Sequence, residues 1–249
     1  MAEAASEIFN TAIVKIAQQS WIPMRKEASS ASEMVSSLLF GEKARVISQQ
    51  NDWLEVQCLH DDYIGFIPES YFDSSLSIDW NSEISFNPKL ISIEIENQHF
   101  LLSPGSKIPK KLLQNLQGGT EISHWVPFCL QYLNTPYLWG GRSIFGIDCS
   151  GFTQVYAEYR GLALPRDAYQ QAEVGSTVNY GHHQPGDLAF FHNASGRITH
   201  VGIILEDQKI IHASGKVRID DITVNGIQRA DNQFLTHALS CIKRCFSDV

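Results

Sequence analysis

The chain has 249 residues, 43% hydrophobic and 18% charged, a balance that excludes a disordered or fibrous protein. Its 27 acidic against 19 basic side chains give a net charge of −8, which argues against a nucleic-acid partner, because phosphate contact needs clustered Lys and Arg. Five scattered cysteines, an odd number, cannot form a complete disulfide framework within one chain and fit thiols in a reducing compartment.

The stretch Met1 to Glu7 carries Glu3 and Glu7 rather than a basic cluster, and Lys15 interrupts the apolar run Ala12 to Ala17. No secretory leader or membrane partner is expected from this pattern, so the expected location is the cytoplasm. Five short strands are predicted next: Ala12–Ala17, Met34–Phe40 ended by Gly41-Glu42, Ala44–Ser48, Asp52–Cys58 and Tyr63–Pro68. In the fourth, Trp53 and Glu55 share one face while Leu54, Val56 and Cys58 share the other, the period of two of a half-buried strand. Strands this short and closely spaced suggest a small barrel, which closes its own edges. Residues 74–118 read as a connecting segment with two or three strands, Leu90 to Ile95 among them, and as a candidate degenerate second barrel.

From residue 119 the pattern turns helical. Trp125, Phe128, Cys129 and Tyr132 form one apolar stripe behind Ser123 as the expected N-cap, and Phe152, Val155, Tyr156 and Tyr159 form another, ended at Gly161. Strands follow in "DLAFFH", "HVGIILE", "KIIHAS" and "LSCIKRCF", with a hairpin turn at Glu206-Asp207-Gln208. Helices followed by an antiparallel run of strands make an α+β domain. The predicted divisions are thus 1–73, 74–118 and 119–249.

Cys149 stands between Asp148, a good N-cap, and the second helical stripe. A thiol at a helix N-terminus is expected to gain thiolate character from the dipole. His200 and His212 lie on two strands joined by the Glu206–Gln208 turn, and a register that sets them opposite one another projects both imidazoles from one sheet face. One imidazole can then accept the thiol proton while the other fixes its tautomer. His182, His183 and His192 have no acidic or thiol partner at ligand spacing, so neither a metal nor a cofactor is expected. Arg166-Asp167 reads as a structural ion pair or helix cap, and Cys241 and Cys245 read as packing thiols.

The stretches "PYLWGGRSIFGIDCSGFTQ", "LPRDAYQQ", "QPGDLAFF", "THVGIIL" and "IIHASGKVRID" together resemble the NlpC-type cell-wall peptidases, a papain-like cysteine peptidase group. The resemblance implies a papain-like domain with helices on an antiparallel sheet. It makes Cys149 the nucleophile, His200 the general base, His212 the residue that orients it, and Tyr137 a donor near the oxyanion. "NDWLEV", "SEMVSSLLFGE" and "DDYIGFIPESYF" further resemble the subgroup that places a bacterial SH3-like barrel before this peptidase. That subgroup cleaves γ-D-glutamyl-diamino acid bonds in murein peptides with a free N-terminal L-Ala, releasing L-Ala-D-Glu. By this resemblance the partner is the peptide L-Ala-γ-D-Glu-diamino acid. Glu33 and Tyr63 would help hold its terminal amine, and Asp148 and Ser150 flank the nucleophile in the substrate site. The competing readings are a broader, exported peptidoglycan hydrolase, an SH3-like peptide receptor on an inactive peptidase fold, and lipid acyl transfer by a related fold.

Overall fold

A computed structural model describes residues 13–73, 76–113 and 122–246. The expectations for Met1 to Glu7, for Ala12, for Ser74 and Ser75, and for the 118/119 boundary lie outside these residues. The amino-terminal part contains β1 (Val14–Ile16), β2 (Trp21–Arg25), β3 (Met34–Leu39), β4 (Lys43–Gln50), β5 (Trp53–Cys58) and β6 (Ile64–Pro68). All six pair antiparallel in the order β1-β4-β5-β6-β2-β3, an arrangement consistent with an SH3-like barrel. The alternation read in the Trp53 segment is present: Leu54, Val56 and Cys58 are buried among Ile22, Met24 and Leu38.

Five strands were expected here and six are found, the additional one being β2. Pro23, which removes a ladder donor, disguises it in the sequence. The fold tolerates the proline because β2 meets β6 only through Arg25 and Phe66, and its main partner is β3.

The middle segment holds β7 (Ile84–Phe86), β8 (Ile91–Ile95), β9 (Gln98–Leu102) and β10 (Lys107–Pro109), followed by a single turn, α1 (Lys110–Leu113). β7 pairs with β10 and β8 with β9, so the segment forms two separate ribbons rather than a second barrel. Their shared core, Ile93, Ile95, Leu102 and Ile108, gathers around Phe40 from the end of β3.

The remainder comprises α2 (Trp125–Leu130), β11 (Arg142–Ser143), β12 (Gly146–Ile147), α3 (Cys149–Tyr159), α4 (Ala168–Gln171) and the strands β13 (Ser176–Val178), β14 (Leu188–His192), β15 (Ile198–Ile204), β16 (Lys209–Ser214), β17 (Lys216–Thr223), β18 (Gly226–Gln228) and β19 (Leu235–Arg244). The last seven strands form one antiparallel sheet, ordered β13-β19-β14-β15-β16-β17-β18, with β18 also pairing β19. This part is mostly strand. α3 lies against β15 and β16, and its Phe152, Val155 and Tyr156 share a buried core with Val201 and Ile203. α2 is capped by His124, whose Nδ1 accepts from the Val126 N–H, and not by Ser123 as the sequence suggested. No helix among the described residues is long and apolar enough to cross a membrane.

The barrel is tied to the β11–β12 hairpin of the carboxyl-terminal part by a pair of buried charges. Arg142 donates to both carboxylate oxygens of Glu42, at 2.7 and 3.0 Å, and to the Ser37 carbonyl at 3.0 Å, with Arg142 and Glu42 only 1% and 3% exposed. Burial alone would raise the Glu42 carboxyl, but the guanidinium outweighs it and holds that carboxyl below its ordinary range. Beside it, Asp61 accepts from Gln154 of α3 at 2.9 Å and lies 3.3 Å from His60. Removing one member of such a pair strands the other charge in a dry setting. Arg142→Ala is therefore expected to cost about 3–5 kcal/mol in urea unfolding. The double change Arg142→Met with Glu42→Leu should cost clearly less. An unchanged urea midpoint for Arg142→Ala would show that the pair holds nothing together.

Candidate active site

The short β11–β12 hairpin delivers the chain to Asp148, whose extended backbone and carboxylate cap α3. Asp148 Oδ1 accepts from the Gly151 N–H at 2.7 Å, and Oδ2 accepts from the Gly140 N–H at 2.8 Å. Arg166 donates to both oxygens, at 3.1 and 2.5 Å, and its Nη1 also reaches Ser150 Oγ at 2.9 Å. Arg166 Nε donates to Ser36 Oγ of β3, so one guanidinium joins the nucleophile turn to the barrel. Gly140 is required where it stands: its φ is +80°, and a Cβ there would lie 2.8 Å from the Met34 carbonyl oxygen. Asp148 lines the cleft beside the nucleophile, as expected, with both of its oxygens accepting hydrogen bonds from the protein. The arginine of the expected Arg166-Asp167 pair bonds Asp148 instead, and Asp167 makes no capping hydrogen bond to α4.

Cys149 begins α3, is 4% exposed, and has its thiol against the backbone N–H of Val201, the residue after His200. The surroundings of this thiol oppose the thiolate character expected at a helix start. Burial pushes the Cys149 thiol up to about 12, and the Asp148 carboxylate adds to the rise, against the smaller pull of the Val201 N–H and Arg166. Burial is the larger of the two raising causes, and it opposes the pull expected of a helix N-terminus.

The two histidines meet, although not in the expected register. Gly202, rather than His200, pairs with His212, because the hairpin turns through the left-handed Asp207 and Gln208, at φ +55° and +57°. His200 is therefore diagonal to His212, within reach of a long side chain, and Nε2 of His200 lies 2.8 Å from Nδ1 of His212. A β-bulge sits at this point: Phe191 pairs with His200 but His192 with Ile198, leaving Thr199 as the extra residue beside the cleft.

Sequence reasoning stopped at His212, whereas the hydrogen bonds continue. His212 Nε2 is 3.0 Å from Asp220 Oδ2, and Asp220 is gripped by Arg218 at 2.6 and 2.8 Å and by the Ala230 N–H at 2.9 Å. Burial raises Asp220, but the bonds from His212 and Arg218 overcome it and hold its carboxyl well below the usual range. The signal was available: Gly215 turns β16 into β17, which sets Arg218 opposite His212 and Asp220 two residues beyond.

An ionised carboxylate accepts only, so the proton on His212 sits on Nε2 and its Nδ1 is a bare acceptor. His200 must then donate from Nε2, which leaves its Nδ1 unprotonated and able to take a proton. Burial, then the neighbouring His212 and His237, push His200 well below an ordinary histidine, so it is neutral near pH 7. Burial likewise lowers His212, opposed by Asp220.

Cys149 opens into a cleft of about 550 Å³, shared between the two halves of the molecule. The barrel contributes Glu33 and Tyr63; the carboxyl-terminal part contributes Ser150, Asp167 and Arg197. Glu33 Oε1 accepts from the Trp139 indole N–H at 2.8 Å, and Oε2 lies 3.6 Å from Lys26. Burial pushes Tyr63 up to about 12 and raises Tyr137 further, the latter helped by Cys149 and Asp148, so both phenols remain donors at neutral pH.

Residues 134–236 match the NlpC/P60 family, and residues 24–71 match the bacterial dipeptidyl-peptidase SH3 domain. A gamma-D-glutamyl-L-lysine dipeptidyl-peptidase of Bacillus subtilis is 30% identical, over 86% of this chain and 81% of that protein. The chain belongs to the NlpC/P60 family. It is a cysteine peptidase, with a papain-like peptidase fold. A Bacillus cereus protein also named gamma-D-glutamyl-L-lysine dipeptidyl-peptidase is 25% identical, over 74% of this chain and 68% of that one. The crystal structure of an NlpC/P60 family protein from Bacillus cereus superposes with a TM-score of 0.74 at 19% identity, covering 93% of this chain and 99% of the other.

The buried thiol makes a checkable statement about this NlpC/P60 site. The alkylation rate of Cys149 by iodoacetamide should climb steadily from pH 6 to pH 9, because the reactive thiolate is scarce throughout. A plateau reached by pH 7, read by mass spectrometry of the labelled peptide, would show a preformed thiolate–imidazolium pair instead.

Proposed function

We propose that this chain hydrolyses the γ-D-glutamyl-diamino acid bond of murein peptides that carry a free N-terminal L-Ala, releasing L-Ala-D-Glu. The observation that carries this reading is the composite cleft, in which a barrel wall bearing Glu33 and Tyr63 faces Cys149. The γ-D-Glu carbonyl lies one residue from the terminal amine, so the amine must bind a dipeptide's length from the sulfur. A wall at that distance accepts a short amino end and blocks a longer chain. The gamma-D-glutamyl-L-lysine dipeptidyl-peptidases among the relatives support the same substrate class.

In this mechanism His200 Nδ1 takes the proton from Cys149 as the sulfur attacks the γ-carbonyl carbon. Base and nucleophile need not be hydrogen-bonded in the resting protein, since such contacts often tighten only with substrate in place. The negative charge that forms on the carbonyl oxygen is met by the Tyr137 hydroxyl; a donor aimed at such a charge is worth ~2.7–4 kcal/mol of barrier. The imidazolium of His200 then protonates the departing amine of the diamino acid, leaving a thioester on Cys149. His200 next takes a proton from water, the resulting hydroxide attacks the thioester, and L-Ala-D-Glu leaves with the thiol restored. Asp220 acts two bonds away by holding His212, and through it His200, in the productive tautomer.

The substrate ammonium is assigned to Glu33, which Trp139 orients, and to Asp167, which lies across the cleft. Burial raises the Asp167 carboxyl while Arg166 pulls it down. A charge-assisted contact of this kind is worth ~1.5–3 kcal/mol, or about tenfold to a hundredfold in discrimination.

Mass spectrometry of L-Ala-γ-D-Glu-diaminopimelate incubated with the protein should show L-Ala-D-Glu, and Cys149→Ala should form none. N-acetylation of the tripeptide, or Glu33→Gln, should lower kcat/KM by about tenfold to a hundredfold. Equal cleavage of the free and acetylated peptides would dismiss the amine pocket and favour a general wall hydrolase. Asp220→Asn presents an amide that can donate to His212 Nε2, which reverses the proton order along both rings. It should lower kcat by about 10²-fold or more, with KM little changed.

A further inference from the structure

The family match ends at residue 236, and the imidazole of the next residue touches the histidine pair. His237 lies on β19, and its ring stacks on that of His200 with centroids 4.1 Å apart and planes at 25°. The rings of His212 and Phe191 stand edge-on to it, at 5.9 and 6.2 Å. Thr236 Oγ1 is 2.9 Å from His237 Nδ1, which fixes how the ring is turned. Phe191 lies 5.8 Å from His200, so the three rings form a triangle in which His237 covers one face of the base and Phe191 stands beside both. We propose that His237 is a positioning residue of the peptidase, a stacked cover that fixes the ring plane of His200 and keeps water from it. The assignment rests on His200 being the general base, as proposed above.

Two physical effects follow from a cover at this distance. A base whose face is closed to water is harder to protonate before substrate arrives, so it stays neutral at lower pH. Once His200 has taken the thiol proton, a neutral imidazole presents its π face to that cation, a favourable arrangement in a desolvated site. Both effects need His237 to be uncharged. Burial, then the adjacent His212, push it down to about 4, against a smaller upward pull from Asp220.

The groups facing His237 agree with this state. β15 offers His200 and β16 offers His212, while β17 holds Asp220 in its pairing with Arg218. β14 offers Phe191 and also His192, whose Nδ1 is engaged with the Asn193 carbonyl. β18, Gly226–Gln228, brings no titratable side chain. Asp220 is the nearest carboxylate, and its oxygens are already held by His212, Arg218 and the Ala230 N–H.

The sign of the pH effect can be stated in advance. Protonated His200 cannot act as a base, so kcat/KM falls on the acid side as the His200–His212 pair takes up a proton. In the intact protein this limb lies below the ordinary histidine value of 6.5. Replacing His237 by Ala opens the face of His200 to water and removes an imidazole beside it. The acid limb should then move up, by about one pH unit toward 6.5. His237→Phe keeps a flat, uncharged ring in the stack and should leave the limb at its wild-type position. The loss in His237→Ala should fall mainly on kcat, since His237 is not among the residues that line the cleft.

The decisive experiment records kcat/KM against pH for the full-length wild type, His237→Ala and His237→Phe on L-Ala-γ-D-Glu-diaminopimelate. Alongside it, NMR titration of the His200 ring is recorded with and without the His237 change, in a Cys149→Ala background. An upward shift in Ala with a wild-type limb in Phe supports the cover, as does the matching shift in the NMR titration. Identical His200 titration with and without His237 overturns it, and so does an equal shift in Ala and Phe. If the wild type leaves the tripeptide intact, the proposed substrate is at fault, and the NMR titration still decides the role of His237. Should His237→Ala fail to fold, His237→Leu supplies the non-aromatic arm and is expected to shift the limb in the same direction.

Discussion

The pairing of Arg166 with Asp148 is the contact on which the rest of the site depends. Asp148 must cap α3 for Cys149 to sit at its first position, yet a buried carboxylate beside a nucleophile is costly unless it is neutralised. Arg166 supplies that neutralisation and spends its remaining donors on Ser150 and on Ser36 of the barrel. One guanidinium thereby fixes the helix start, the neighbouring hydroxyl and the wall of the cleft. The Gly140 N–H completes the set and draws in the loop carrying Trp139, which in turn orients Glu33.

The polar chain behind the nucleophile is arranged by the same rule of satisfied partners. Arg218 fixes Asp220, Asp220 fixes His212, and His212 fixes His200, each link deciding which nitrogen of the next ring carries a proton. The far end of the chain is ionic and multiply hydrogen-bonded, whereas the end near the sulfur is neutral and dry. That gradient suits a step in which charge appears at His200 only during reaction, since the surroundings are already arranged to receive it.

Much of this was legible before folding, and the failures have identifiable physical causes. Cys149 and Asp148 were readable because an N-cap followed by an apolar stripe is a local signal, and local signals survive in sequence. The pairing of His200 with His212 was right in substance but shifted by two residues, because register depends on the left-handed turn at Asp207 and Gln208. β2 was missed because Pro23 masks a strand that is tolerated only through its sparse pairing with β6. His237 was missed because the last strand was read from Leu239, while the structure begins it at Leu235. Its exposed leading residues and the ladder shift near Phe191 hide the alternation that would have announced it. The setting of Cys149 was not legible for another reason: burial is a property of the assembled molecule, and no spacing rule records it.

The contacts that join barrel to peptidase bridge long stretches of chain. Glu42 and Arg142 are 100 residues apart, Glu33 and Trp139 are 106, and Ser36 and Arg166 are 130. Such contacts form late, after the loop entropy between them has been overcome. During synthesis the barrel emerges first, with Glu42 held by the Leu39 N–H but without its arginine, and Cys149 follows before the wall has docked against it. Because Arg142 and Arg166 are the fasteners of that wall, a chain interrupted before they dock has a cysteine but no defined cleft. The cleft is thus a product of docking between distant parts of the chain: its nucleophile belongs to one part, its amine end to the other, and neither holds it alone.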